Sequence, residues 1–257
     1  MKTKLLITTL LLGSLFTLGW SQNTAKPARQ IDKSFDFDKN KELYLYLKFA
    51  KNIKIKTWNQ NKVQVKVSVD INGGKDNEKF SLSGEKLSDR FEIRSRIKDF
   101  SKITKTLVVF NGDNDTYFSY GNSTSWSDED GRYYMNGSFL LSSINYEINI
   151  PANTKKLRIK TISGNIEMDH PKDCQLRARS VSGFIDVSVA PGQKADIETR
   201  SYMGDVFSDL PVKTASFGDK SYRRIGGRAR IKGTLNGGGV RIYLKTHKGN
   251  VYLRKKK

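Results

Sequence analysis

The sequence predicts an all-β protein: a parallel β-solenoid (β-helix) of roughly 20-residue coils with one inserted hairpin-like arm. Three observations predict it. A short alternating strand, a glycine turn and a second short strand recur as one unit. The glycines of that unit, Gly164, Gly183, Gly204 and Gly249, stand 19, 21 and 45 residues apart, the last gap leaving room for an irregular extra coil. No amphipathic helix of useful length interrupts the strand signals.

The copies read Leu157-Arg-Ile-Lys-Thr-Ile-Ser-Gly-Asn-Ile166, Leu176-Arg-Ala-Arg-Ser-Val-Ser-Gly-Phe-Ile185, Ile197-Glu-Thr-Arg-Ser-Tyr-Met-Gly-Asp-Val206 and Ile242-Tyr-Leu-Lys-Thr-His-Lys-Gly-Asn-Val251. No single copy can bury its own apolar face, so copies must stack. Seven residues before each glycine stand Leu157, Leu176, Ile197 and Ile242; two after stand Ile166, Ile185, Val206 and Val251. These positions would form apolar ladders pointing inward. Three before each glycine is a hydroxyl (Thr161, Ser180, Ser201, Thr246), suited to capping backbone groups at a corner. The glycine itself suits a corner that needs positive φ.

At the N-terminus, Lys2 and Lys4 precede an apolar run from Leu5 to Leu18, and Gly19-Trp20-Ser21 follows. This pattern predicts a secretory signal peptide over 1–21, cleaved before Gln22. The run is shorter than the roughly 20 residues of a membrane span. Residues 22–30 read as a flexible lead-in, and 31–257 as one solenoid domain. Within it, Leu43-Tyr-Leu-Tyr-Leu47 alternates as a strand, and Ile53-Lys-Ile-Lys-Thr-Trp58 reads as a first copy of the repeat, its turn carrying Asn59-Gln-Asn61. Residues from about 70 to 145 break the rhythm. They read as an insertion projecting from the solenoid, with strand candidates at Phe91–Ile93 and Leu107–Phe110 and a loop from Asn111 to Arg132.

These pieces together resemble the bacterial putative-adhesin family of β-strand-repeat proteins, a domain of unknown function related to the head GIN domain. The resemblance rests on Ile53-Lys-Ile-Lys-Thr-Trp-Asn, Tyr146-Glu-Ile-Asn-Ile-Pro, the Ser/Thr-x-Ser-Gly turns and Leu235-Asn-Gly-Gly-Gly. It covers about 35–70 and 144–254. It implies an exported solenoid with an adhesive role and brings no catalytic residue with it. The long insertion departs from the family's compact pattern.

Enzymatic chemistry finds little support. His170 and His247 lie in different copies, and the single cysteine, Cys174, permits neither a disulfide nor a Cys/His zinc site. Asp169, His170 and Asp173 read as a polar connecting loop, and Cys174 as a buried small residue. A sugar-cleaving β-helix enzyme would need paired carboxylates on a groove. Glu167, Asp186 and Asp205 fall at unequal offsets from their glycines. Asp113-Asn-Asp115 only faintly echoes a calcium loop. The expectation is therefore no enzyme, no catalytic residue, no cofactor and no metal.

Two surfaces remain as candidates. The chain carries 46 Lys and Arg against 26 Asp and Glu, a formal charge of +20, and the leader removes only two lysines. Four residues before each glycine stand Lys160, Arg179, Arg200 and Lys245, with Lys56 at the matching place in the early copy and Arg158 and Arg177 two residues earlier. These would form an outward anion-binding ladder, in which strands about 4.8 Å apart set like charges side by side unless something neutralises them. Solvated charges on an exposed sheet face would give the same pattern. The insertion offers Tyr117, Phe118, Tyr120, Trp126, Tyr133 and Tyr134 among small polar residues, a mix suited to docking a partner.

The sequence thus points to an exported, non-enzymatic envelope protein (periplasmic, surface-bound or secreted). Its ligand would be an anionic polysaccharide or an envelope or membrane surface met through the basic face. A protein partner on the aromatic insertion, as in an envelope-stress or structural role, is the alternative; a polysaccharide-active β-helix enzyme is a further one. A specific nucleic-acid partner is not expected.

Overall fold

The computed structural model describes residues 27–103, 105–110, 116–127, 133–214, 223–225 and 228–256. The expected signal peptide lies outside them. The described residues are nearly all β. In chain order the strands are β1 (Arg29–Asp36), β2 (Glu42–Tyr46), β3 (Phe49–Trp58), β4 (Lys62–Ile71), β5 (Phe80–Lys86), β6 (Arg90–Ile97), β7 (Lys105–Phe110), β8 (Thr116–Ser127), β9 (Tyr133–Pro151) and β10 (Lys156–Lys160). They continue as β11 (Ser163–Asp169), β12 (Gln175–Ser182), β13 (Ile185–Val189), β14 (Ala195–Met203), β15 (Val206–Ser208), β16 (Lys213–Thr214), β17 (Arg223–Ile225), β18 (Arg228–Leu235), β19 (Val240–Lys248) and β20 (Val251–Lys255). One four-residue helix, Phe100–Ile103, lies between β6 and β7.

The strands form two curved walls. One runs β5-β6-β2-β10-β12-β19-β14-β18. The other runs β1-β4-β9-β3-β11-β13-β20-β15. The middle of each wall is parallel; both ends of the first wall and the β1-β4-β9 end of the second are antiparallel, while β15 ends the second in parallel, so the sheet is mixed and curls into a nearly closed, barrel-like body. At one open side β1 approaches β5 through side chains: the Lys33 amine donates to the Leu82 carbonyl at 2.9 Å, and Phe35 packs on Phe91 with ring centres 5.8 Å apart.

The apolar ladders form as the glycine alignment predicts. Leu43, Leu157, Leu176, Ile242 and Ile197 sit in register across the first wall, each at most 2% exposed. Tyr146, Ile53, Ile166, Ile185, Val251 and Val206 sit in register across the second, each at most 4% exposed. The stacking order is not the chain order, however. The last copy, β19–β20, inserts between the copies at β12–β13 and β14–β15. The 45-residue gap holds no extra coil among its described residues; it carries β16, β17 and β18, of which β18 lies antiparallel on the far edge of β14.

Two further expectations are corrected. The first copy does not begin at Ile53. Leu43 pairs with Leu157 and Ile53 with Ile166, so β2 and the start of β3 form that copy, with Ala50 at the glycine place. Asn59–Asn61 instead turns β3 into β4, on the other side of β9. The 70–145 insertion is also less of an appendage than expected. β6 extends the first wall, where its Phe91 and Ile93 join the core, and the second half of β9 pairs along β3. Only β7, β8 and the first half of β9 make a separate antiparallel extension.

The corner between the walls depends on close backbone approach. A Cβ on Gly164 would lie 2.6 Å from the Ala50 carbonyl oxygen, and one on Gly249 would lie 2.5 Å from that of Gly183. A Cβ on Gly183 would collide with the Gly164 carbonyl. The buried hydroxyls close the same corner: Ser201 donates to the Gly249 carbonyl at 2.7 Å, Thr246 to Gly183 at 2.9 Å and Ser180 to Gly164 at 3.3 Å. Beside them an amide ladder went unread in the sequence. Asn165 donates to Asn52 at 3.1 Å, and Asn52 to Asn145 at 2.9 Å.

The loop after β11 is the polar connection expected, built around buried groups. Cys174 is fully buried, and desolvation pushes its thiol up to about 12. His170 is 7% exposed, with Nε2 2.9 Å from the Cys174 carbonyl oxygen. Desolvation pushes its pKa down to about 4, against the opposing pull of that carbonyl and Asp173. The folded chain therefore binds this proton less readily than the unfolded chain, whose histidine titrates near 6.5. Stability from this site is complete above about pH 6.5 and is lost as pH falls toward 4. Lowering pH from 7 to 5 should cost about 2 kcal/mol by urea unfolding. The His170→Gln variant should lack that step; an equal loss in the variant would refute the assignment.

Candidate functional site

Alternation along a strand sends every second side chain outward. On the first wall this makes two outward rows that cross seven strands. One row is Arg94, Tyr46, Lys160, Arg179, Lys245, Arg200 and Arg230. The other is Glu92, Tyr44, Arg158, Arg177, Tyr243, Glu198 and Lys232. Six of the seven expected ladder residues, Arg158, Lys160, Arg177, Arg179, Arg200 and Lys245, thus stand on one face. Lys56 does not. It lies on β3 in the second wall, opposite Asn149, because the first copy begins at Leu43. Its place in the ladder is taken by Tyr46.

Neighbouring guanidiniums at strand spacing repel, and the wall relieves most of that repulsion in two ways. Tyrosines stand between cations: the Arg158 and Arg90 heads lie 5.4 and 5.7 Å from the Tyr44 ring centre, and Lys160 and Arg94 lie 5.1 and 5.3 Å from Tyr46. Arg177, Arg179 and Arg241 surround Tyr243 at 5.5, 5.3 and 5.5 Å. Buried carboxylates do the rest. Glu92 accepts from Arg94 Nε at 2.7 Å and from Arg90 at 3.3 Å. Glu198 accepts from Arg200, from Arg230 at 3.2 Å and from Arg241 at 2.9 Å. Burial alone would raise the Glu198 pKa, but the hydrogen bonds from Arg200 and Arg241 and the charges of Arg200 and Arg230 hold it below the ordinary carboxylate value.

The relief is incomplete at the centre. Arg158 bridges to Glu42 at 3.1 Å, but among the described residues Arg177 and Arg179 meet no carboxylate. Partial desolvation and the charges of Arg179, Arg158 and Arg241 lower the Arg177 pKa. These groups line a recess of about 410 Å³ that also takes in Lys156, Gln175 and Tyr243. Nε of Arg158, Arg179 and Arg200 is buried without an acceptor. The recess thus gathers positive charge and buried donors that lack an acceptor.

The outward face of the second wall is different. It carries Glu147, Lys54, Glu167, Asp186 and Tyr252 in one row, with Arg254 paired to Asp186 at 2.8 Å and Lys256 to Asp169 at 2.9 Å. Glu167 and Asp186 are neighbours in register, whereas Asp205 stands beside Asn250 at the corner. Of the aromatic insertion, Tyr117, Phe118, Tyr120 and Trp126 lie on β8, and Tyr133 and Tyr134 on β9, with Trp126 opposite Tyr134. The stretch read as a loop thus contains a 12-residue strand. The acidic residues Asp113, Asp115, Asp128, Glu129 and Asp130 lie outside the described residues.

Sequence reading missed Tyr44, Tyr46, Tyr243, Glu42, Glu92 and Arg241 as parts of this face. One signal was present: Tyr243 stands six residues before its glycine, where Arg158 and Arg177 stand before theirs. A tyrosine at an arginine's place in a repeat is a spacer.

The sequence matches no protein-family model and no curated protein. A solved structure described as a putative cell adhesion protein from Clostridium sporogenes is similar, at 10% identity and a TM-score of 0.48, over 89% of this chain and all of that one.

Proposed function

We propose that this protein is an exported, non-enzymatic envelope-binding module of the adhesin type, whose parallel middle serves as a short solenoid presenting a basic face to anionic surface groups. The observation that carries this reading is the pair Arg177–Arg179, which packs on Tyr243 but meets no carboxylate among the described residues, at the centre of a face where Arg90, Arg94, Arg158, Arg200, Arg230 and Arg241 are each paired with one. A face meant only for solubility would gain by pairing or dispersing these charges. An incoming anion supplies the missing countercharge, and the buttressed neighbours hold the heads in place beforehand.

Replacing both Arg177 and Arg179 with glutamine should weaken binding to dextran sulfate roughly 10- to 50-fold, about 1 kcal/mol per cation. Lys56→Gln, off the face, should change it less than about twofold. Equal effects of the two changes would reduce the face to a diffuse charge effect and overturn the proposal.

A further inference from the structure

The cation row has an apolar neighbour. Two residues on from Lys160, Arg179, Lys245 and Arg200 stand Ile162, Val181, His247 and Tyr202. The residue between is each time the buried hydroxyl, so both rows point outward from the same wall. Ile162 and Val181 are 38% and 50% exposed, and Met203, next along the corner, is 63% exposed. Tyr202 stacks on His247 at 5.4 Å, and the Lys245 amine lies 4.7 Å from the Tyr202 ring centre. Just round the corner Phe207 is 49% exposed and stacks on Tyr252 at 5.3 Å. Ile162, Val181, Tyr202, Met203 and Phe207 therefore follow the corner where the walls meet, with His247 and Lys248 among them, backed by a line of cations.

We infer that the anionic partner of the basic face is a lipid bilayer, engaged edge-on with this corner as the inserting ridge. The inference rests on the basic-face reading above and deepens it. A soluble polyanion uses the cations and has no use for the apolar row. A bilayer uses both. Its anionic headgroups answer the cation row, and the apolar row lies about 6–7 Å further along the strands. Interfacial apolar groups sit some 5–10 Å into the headgroup–acyl boundary, so the two rows match the two levels of one interface.

The test uses the chain from Gln22, which carries every described element, with phosphatidylglycerol–phosphatidylcholine vesicles and with dextran sulfate. Changing Ile162, Val181 and Met203 together to serine should weaken vesicle binding at least about tenfold. Binding to dextran sulfate should stay within about twofold. A tryptophan placed by Val181→Trp should shift its emission to the blue with these vesicles and keep the unbound spectrum with dextran sulfate; this second readout stands even if the triple variant folds poorly. Unchanged vesicle binding by the serine variant, or no blue shift, would overturn the bilayer inference and leave the basic face intact. Binding to dextran sulfate but not to vesicles would do the same. Binding to neither would overturn both.

Discussion

Replacing Gly183 with alanine should cost about 3 kcal/mol or more, enough to prevent folding of a marginal chain. Two effects add. The backbone holds Gly183 at φ 123°, which L side chains rarely adopt. A Cβ there would also strike the Gly164 carbonyl, which is backbone and part of the next turn of the same corner. Gly183 is flanked on the other side by Gly249, so a shift in one copy propagates to the next. By contrast, a Cβ on Gly192 meets nothing within 4 Å, and that glycine has ordinary φ. Gly192→Ala should be nearly neutral by the same urea titration. Similar losses at both positions would mean that the corner is not closed by glycine contact.

The second large effect is expected at Glu198, whose removal should separate stability from binding. Its carboxylate is 11% exposed and answers three arginines. Glu198→Gln keeps the shape and leaves Arg200, Arg230 and Arg241 without their countercharge. Breaking a fully buried pair costs 3–5 kcal/mol; here Arg230 and Arg241 are open to water, so about 2 kcal/mol is expected. Because the folded state holds this carboxyl below its ordinary pKa, the contribution is present above the usual carboxylate range and is lost as pH falls through the folded value. The freed arginines should meanwhile bind dextran sulfate several-fold more tightly. A variant that loses stability and binds no better would show that Glu198 serves only the fold.

The ladders were legible because a parallel stack repeats one environment per copy. An inward position is apolar in every copy, and a corner hydroxyl is a hydroxyl in every copy. The cation row was legible for the same reason. The order of stacking was not, because β12, β14 and β19 carry the same inward pattern and any two could be neighbours. What sets the order is outside the repeat: β18 covers the far edge of β14, which leaves β19 the place between β12 and β14. Lys56 was misplaced because Ile53-Lys-Ile-Lys reads like Leu157-Arg-Ile-Lys, although it occupies the place of Ile166 onward. Alternating apolar and charged residues suit either wall, and only the partner strand decides. Leu43-Tyr-Leu-Tyr-Leu47 was legible as an alternating strand, but the part of Tyr44 and Tyr46 between Arg90, Arg94, Arg158 and Lys160 depends on residues more than 40 or 100 positions away.

The basic face of the first wall is proposed as the working surface of the protein. The most direct measurement is the affinity of the chain from Gln22 for dextran sulfate across a salt series, beside the Arg177→Gln/Arg179→Gln variant. Affinity should fall steeply as salt rises, and less steeply for the variant, since two fewer cations are screened. Salt-insensitive binding, or parallel slopes for the two proteins, would contradict that role.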